Sequence, residues 1–350
     1  MNSENWFEKQ IIKNRLFILG AGFSANAGVP LTDKLLELTM SKFANECPGL
    51  YERVNQYAQI CRNTDIQLDY SKVNFSDLCT FLEYQELREY GGGERWSNAG
   101  SREKLALKFY IAKTIVENTP KNENIPDIYL RFAEQLHDKD IIINFNWDCL
   151  LELALDKLGK KYTYNFEENR IKICKLHGSV NWCLGSPEIL GKPLQQNKLK
   201  WQPVGLAHTL MPIDLYQSLE LKNFIDWRFI QPLGQTKPFL VLPGYGKGFD
   251  VRNIAVLWYK PEFALAFTHD VYIIGLSLAP DDFFIRSFFL DNFPYIDSFS
   301  SIKGREIIII NPSQDAEENY DFILKNNSAK LINDNFQISH VEEMYKKIKI

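Results

Sequence analysis

The sequence predicts an α/β fold, a Rossmann-like doubly wound parallel sheet, and three observations predict it. Short runs at Arg15–Leu19, Ile141–Ile143, Val271–Ile274 and Ile307–Ile310 are apolar almost throughout rather than alternating, which is the pattern of strands covered on both faces. A stretch of helical periodicity follows each of them. The glycine-rich segment Gly20-Ala21-Gly22 stands at the end of the first run, where such folds turn from strand to helix.

The elements follow in order. After the strand Arg15–Leu19 and its glycine turn, a helix is expected from Leu31 to about Phe43. The groups Phe75-Leu78-Phe81-Leu82, Leu105-Leu107-Phe109-Ile111 and Ile128-Leu130-Phe132-Leu136 recur near the helical period, predicting a helical insertion at about 34–138 with Gly91-Gly92-Gly93 at a loop tip. The strand Ile141–Ile143 runs through Asn144–Asp148 into a helix carrying Leu150, Leu151, Leu153, Leu155 and Leu158, with Gly159 as its stop. Tyr162–Tyr164 and Ile171–Ile173 flank Glu167-Glu168-Asn169 and read as a hairpin leading to Cys174–Ser179. A smaller irregular insertion is expected at about 181–237. Beyond it come the strand Phe239–Val241, a helix near Ile254–Ala266, the strand Val271–Ile274, a helix over Asp281–Leu290 and the strand Ile307–Ile310. A helix after Asn311-Pro312 follows, and a last helix opens at a capping box of Ser339 with Glu342. The whole, 1–350, reads as a single domain.

Composition bounds the function. The 350 residues are 45% apolar, 24% charged and 13% aromatic, values of an ordinary globular protein with a sizeable core. The net charge of -4 argues against direct nucleic-acid binding as the main role. No apolar run reaches the roughly 18 residues of a membrane span, and the polar start Met1–Asn5 is no signal peptide, so a cytoplasmic protein without a membrane partner is expected. The six cysteines, Cys47, Cys61, Cys79, Cys149, Cys174 and Cys183, include no C-x-x-C pair, so free thiols and no zinc or other metal are expected.

Gly20-Ala21-Gly22-Phe23-Ser24-Ala25 satisfies G-x-G-x-x-G/A in the strand-to-helix setting of a phosphate cradle, although a glycine turn needed only for packing has the same look. A dehydrogenase is disfavoured, because no second strand with a ribose-binding acid arrives about 20 residues later. His177 follows a strand-like segment, and Asn146 and Asp148 follow a core strand, so three polar groups can converge on the edge that carries the glycine loop.

These segments resemble the sirtuin superfamily. Gly20–Pro30 resembles its nucleotide loop G-A-G-x-S-x-x-x-G-I-P, and Asn144–Asp148 is similar to T-Q-N-I-D. Leu176–Ser179 looks like the loop of the catalytic histidine. Ile274–Leu278 resembles the G-x-S-L segment, with Gly275 and Ser277 at its phosphate-facing positions, and Ile310–Pro312 resembles the V-N segment. Leu31-Thr32-Asp33 stands where deacylases have D-F-R, and the four-cysteine zinc module is missing. Asn181-Trp182, Leu242-Pro243 before Lys247, Trp258 and Pro280-Asp281-Asp282 make the pattern resemble the bacterial sirtuin-like proteins of phage-defence systems.

The resemblance implies NAD as substrate and NAD glycohydrolase activity in defence by NAD depletion. Its alternatives are an NAD-dependent deacylase or ADP-ribosyltransferase and a non-catalytic NAD- or ADP-ribose-sensing module. It implies that Gly20, Ala21, Gly22, Phe23 and Ser24 grip the pyrophosphate, that Ser277 bonds a phosphate, and that Asn311 fixes the adenosine ribose. Asn146 would position the ribose hydroxyls or a water, and His177 would act as general base. Asp148 would orient this pair or cap its own helix. Asp33 would face the nicotinamide or serve as a first-turn acid. A homo-oligomer formed through the helical insertion is expected, gated by assembly or by a separate partner such as a ring-forming ATPase or another defence-system protein. Gly244-Tyr245-Gly246-Lys247-Gly248 reads as a flexible loop, Phe283-Phe284 and Phe288-Phe289 as core, and His137, His208, His269 and His340 as structural.

Overall fold

The apolar strands do what their composition requires and lie side by side in one parallel sheet. The computed structural model describes residues 15–62, 68–88, 102–164, 166–184, 215–217, 237–245, 255–280, 282–292, 305–325 and 329–346. Gly91-Gly92-Gly93, Gly246–Gly248, His208, Asp281, the first five residues and most of 181–237 lie outside them. Among the described residues the strands, in chain order, are β1 (Arg15–Leu19), β2 (Ile141–Asn144), β3 (Tyr162–Thr163), β4 (Ile171–Lys175), β5 (Gly178–Leu184), β6 (Leu215–Gln217), β7 (Lys237–Leu240), β8 (Asp270–Ile274), β9 (Glu306–Ile310) and β10 (Ala329–Ile332).

Contacts divide the chain into two units, Met1–Val29 with Thr119–Leu176 and Val256–Ile350, and Pro30–Asn118 with His177–Ala255. The first unit holds the seven-stranded sheet, ordered β10-β9-β8-β1-β2-β4-β3, with every neighbouring pair parallel. All five residues of β1 are buried, so both faces of the central strand are covered. The chain leaves β1 toward β2 and later crosses to β8 on the other side, which makes the gap between β1 and β8 the point where strand order reverses.

On one face Phe17 stacks on Tyr272 at 5.1 Å and meets the edge of Phe132, from the helix Asp127–Gln135, at 5.2 Å. At the amino edge the buried Arg15 is ion-paired to Asp140, with Nε to Oδ1 at 2.8 Å and Nη2 to Oδ2, and Nη2 also donates to the Gln135 carbonyl at 3.1 Å. Asp140 Oδ2 also accepts the His137 N–H at 2.8 Å, so one carboxylate joins the first strand to the entry of the second.

Three local expectations are corrected. Tyr162–Thr163 and Ile171–Lys175 do not form a hairpin; they are parallel neighbours, Tyr162 opposite Ile171. Phe166 and Asn169 take left-handed φ values of 59° and 56°, which lets the short connection reverse and re-enter in the same direction. The last helix, Ile338–Lys346, holds Ser339 inside its first turn rather than at its cap. His340 Nδ1 instead accepts the Gln337 N–H at 3.1 Å, the reciprocal bond that a glutamate makes in a capping box. The strand Ala329–Ile332, which no apolar run announced, closes one edge of the sheet.

The second unit packs helices Thr32–Glu46, Pro48–Arg62, Phe75–Arg88 and Arg102–Asn118 with a three-stranded antiparallel sheet ordered β6-β5-β7. Phe43 stacks on Tyr110 at 4.7 Å, and Lys113 pairs with Glu46, tying the first of these helices to the last. Among the described residues no helix is long and apolar enough to cross a membrane.

Removing one partner of a buried ion pair strands the other charge. Asp140→Ala is therefore expected to lower unfolding free energy by about 3 kcal/mol or more, read as a lowered midpoint in urea denaturation.

Candidate functional site

The strands of the first unit end in register. Leu19 pairs with both Asn144 and Ile274, and Ile274 pairs with Ile310. One residue further on, the ladder continues into the loops. The Phe145 N–H donates to Leu19 O at 2.9 Å, Gly20 to Ile274 O at 3.0 Å, Gly275 to Ile310 O at 2.9 Å and Asn311 to Ile332 O at 3.1 Å. The segments expected to hold a ligand thus leave the sheet together at its carboxyl edge, beside the reversal of strand order.

The glycines there are required by backbone meeting backbone. A Cβ on Gly20 would lie 2.4 Å from Leu276 Cα, one on Gly22 2.8 Å from Gly275 Cα, and one on Gly275 2.2 Å from the Phe23 nitrogen. Gly275 also has φ +65°, and its carbonyl accepts the Gly22 N–H at 2.8 Å. The loop continues into the one-turn helix Ala21–Ala25, whose amino end at Gly20 has no side-chain cap. Phe23 and Ser24 are buried, Ala21 is exposed, and the Tyr129 hydroxyl donates to the Phe23 carbonyl at 2.8 Å. Burial and then the charge of Asp148 push the Tyr129 pKa up, which keeps it a neutral donor.

Asn146 joins two of these loops. Its backbone N–H donates to Asn144 Oδ1 at 2.9 Å, and its Nδ2 donates to the Gly20 carbonyl at 2.8 Å and to Ser24 Oγ at 3.4 Å. Gly20, Ser24 and Asn146 are therefore brought together. Asp148 is buried, and its Oδ1 accepts the Leu150 N–H at 3.0 Å, which starts the helix Leu150–Lys157.

The loop after β8 is braced from below. The Leu276 carbonyl accepts from Asn311 Nδ2 at 2.6 Å and from the buried Tyr320 hydroxyl at 2.7 Å, while Asn311 Oδ1 accepts the Ser313 N–H at 2.9 Å. Both ends of the Asn311 amide are thus engaged by the protein's own backbone. The Ser277 carbonyl accepts from Asn319 Nδ2 at 3.1 Å, and Ser277 itself is exposed.

Asp33 and His177 belong to the second unit. Asp33 is exposed in the first turn of its helix, where an acid complements the helix dipole. His177 is buried, and its carbonyl accepts the Val241 N–H at 2.8 Å. Gly178 after it has φ +76° and would carry a Cβ 2.3 Å from the Phe239 carbonyl, so the strand that starts there requires glycine.

Lys175, Glu152, Asn144, Tyr129 and Tyr320 are also buried around these loops, and no motif marks them. One signal was present for Lys175: it falls on the face of Ile171 and Ile173, the apolar positions of the strand, whereas Lys172 alternates with them. Among the described residues no group of three or more His, Cys, Asp or Glu is placed to hold a metal ion. The side chains of Cys61 and Cys183 lie outside the described residues.

No family model matches the chain, and no curated protein matches it. Among solved structures the chain is similar to Sir2Tm bound to a propionylated peptide, at 10% identity over all of both chains with a TM-score of 0.40. It is also similar to a Sir2–p53 peptide–NAD+ complex, at 10% identity over 100% of this chain and 99% of that one, TM-score 0.41. A third match is a Sir2 homologue mutant in complex with 2'-O-acetyl ADP ribose, at 13% identity over 100% of this chain and 97% of that one, TM-score 0.44.

Gly275→Ala is expected to destabilise the chain by about 3 kcal/mol or more, combining left-handed backbone strain with a backbone clash. Gly28→Ala has φ +87° but open space around its Cβ, and should cost only about 1–2 kcal/mol. Denaturation curves of the two variants check the order. Metal analysis of the purified chain is expected to find no stoichiometric zinc, and zinc ligated through Cys174 would contradict this.

Proposed function

We propose that this chain takes NAD as substrate at the carboxyl edge of its parallel sheet and hydrolyses it to nicotinamide and ADP-ribose. Five sequence segments that resemble sirtuin motifs support the reading, and the geometry of Asn146 carries it. With Nδ2 committed to the Gly20 carbonyl and Ser24 Oγ the Asn146 amide is held in place, and among the described residues nothing donates to its Oδ1, which is left as an acceptor for a ligand. A ribose hydroxyl or an attacking water is such a donor.

In this reaction the bond between ribose C1' and the pyridinium nitrogen breaks, its electron pair neutralises the ring, and a water oxygen bonds to C1'. Asn146 orients the hydroxyl or the water, and His177 takes the released proton as general base. The loop Gly20–Ser24 and the exposed Ser277 face the pyrophosphate. Asn311, held by its bond to the Leu276 carbonyl, fixes the adenosine ribose, and Asp148 orients Asn146 and His177 or caps its own helix. Asp33, exposed in the first turn of its helix, faces the nicotinamide or complements the helix dipole. The intact glycine loop beside a segment that departs from D-F-R favours hydrolysis over deacylation. Depletion of NAD suits an effector of phage defence in the cytoplasm, working as a homo-oligomer and gated by assembly or by a partner such as a ring-forming ATPase.

The test is chromatography of the products when the purified chain, over a dilution series, meets NAD with and without an acylated peptide. Nicotinamide and ADP-ribose are expected without peptide. Asn146→Ala and His177→Ala should each lower turnover at least ~100-fold with the fold retained. Nicotinamide release that depends strictly on the peptide would assign the chain to deacylation instead.

A further inference from the structure

Lys175 ends β4 opposite Asn144 of β2 and is fully buried, a costly place for an ammonium. Its Nζ lies 3.4 Å from Glu152 Oε1 and donates to the backbone carbonyl of Asp148. Glu152, itself buried, sits on the helix Leu150–Lys157, and its Oε1 also accepts the Tyr164 hydroxyl at 3.1 Å. Burial alone would push the Lys175 pKa down. The Glu152 carboxylate, with Cys149 and Asp148, outweighs burial and holds it above the ordinary lysine range, so the group is a permanent cation.

We propose that Lys175 is a positioning residue, whose buried ammonium, balanced by Glu152, clamps the Asp148 carbonyl and so fixes the segment that presents Asn146. The segment Phe145–Asp148 is then held at both ends. At its start Asn144 Oδ1 accepts the Asn146 N–H and the Phe145 N–H joins the β1 ladder; at its end Lys175 takes the Asp148 carbonyl and Asp148 Oδ1 takes the Leu150 N–H. Stability alone does not account for the arrangement. A buried ion pair roughly breaks even against well-packed apolar side chains of the same volume. This one is also incompletely satisfied, since Glu152 Oε2 has no hydrogen-bond partner among the described residues. What the pair supplies that an apolar pair does not is a donor aimed at one carbonyl in the loop that carries Asn146.

The proposal rests on the hydrolase reading for its kinetic readout and on geometry for its other. Lys175→Met alone leaves Glu152 buried and uncompensated, so the informative variant is the double replacement Lys175→Met/Glu152→Leu. Should it fail to fold, Lys175→Gln/Glu152→Gln is read in the same way, because the shorter amide falls short of the Asp148 carbonyl. In a variant whose thermal midpoint stays within a few degrees of wild type, kcat for nicotinamide release is expected to fall at least ~10-fold while KM for NAD stays within about threefold. Hydrogen exchange of a peptide spanning 145–150 should be faster. Wild-type kcat, or unchanged exchange in that peptide, would overturn the clamp. Absence of nicotinamide release from the wild-type chain would instead remove the hydrolase reading, and the exchange comparison alone would then decide the clamp.

Discussion

The contact on which the candidate site depends is backbone against backbone, where Gly20 and Gly22 meet Gly275 at the reversal of strand order. Two loops from adjacent parallel strands, β1 and β8, approach so closely that no Cβ fits on either side. The two are locked by the Gly20 and Gly22 N–H groups at 3.0 and 2.8 Å from the Ile274 and Gly275 carbonyls. The Gly20 carbonyl receives the amide of Asn146. Leu276, immediately after Gly275, receives the side chains of Asn311 and Tyr320. A displacement of a few tenths of an ångström at this contact would be passed to the loops after β1, β2 and β8 together, because interiors packed at this density transmit strain.

The sheet was legible wherever burial is local to the strand. β1 and β2 are covered on both faces, β8 and β9 along most of their length, and all four show it as apolar runs. β10 was not legible, because an edge strand is partly exposed and carries Lys330 in its middle. The pair β3 and β4 was legible as strands but not in direction, since direction depends on Phe166 and Asn169 taking left-handed φ. At the site, glycines and Asn146 could be read because their spacing repeats a pattern. Lys175, Glu152 and Tyr129 could not, because a lysine, a glutamate and a tyrosine become meaningful only when the fold buries them against particular carbonyls. The last helix shows the same limit at small scale: Ser339 and Glu342 have the right spacing for a cap, yet the bond is made by His340.

Two buried ion pairs occupy opposite ends of the parallel strands. Arg15–Asp140 stands at the amino edge and joins the start of β1 to the approach of β2, with the Gln135 carbonyl and the His137 N–H also bonded to it and Arg15 Nη1 without a hydrogen-bond partner among the described residues. Lys175–Glu152 stands at the carboxyl edge, where the loops carry polar side chains instead of a closed turn. Both are shielded from water, so desolvation weighs against each. The difference is what the cation reaches beyond its partner: Gln135 at the end of a helix in one case, the Asp148 carbonyl of the Asn146 segment in the other.

The motif glycines serve loop closure first. Gly20, Gly22 and Gly275 are fixed by one another, and Gly178 is fixed by Phe239 in the second unit, so glycine spacing alone reports how loops pack. Side chains that packing orients can still keep unused donors or acceptors for a ligand. Asn311 is held at both ends of its amide, one N–H on the Leu276 carbonyl and Oδ1 on the Ser313 N–H, with a second N–H and a second lone pair left over. Asn146 is held through Nδ2 at Gly20 and Ser24, and among the described residues nothing donates to its Oδ1. The glycines supply the close approach that brings the Gly20 carbonyl within reach of the Asn146 amide, and the groups that hold the Asn146 segment keep it there.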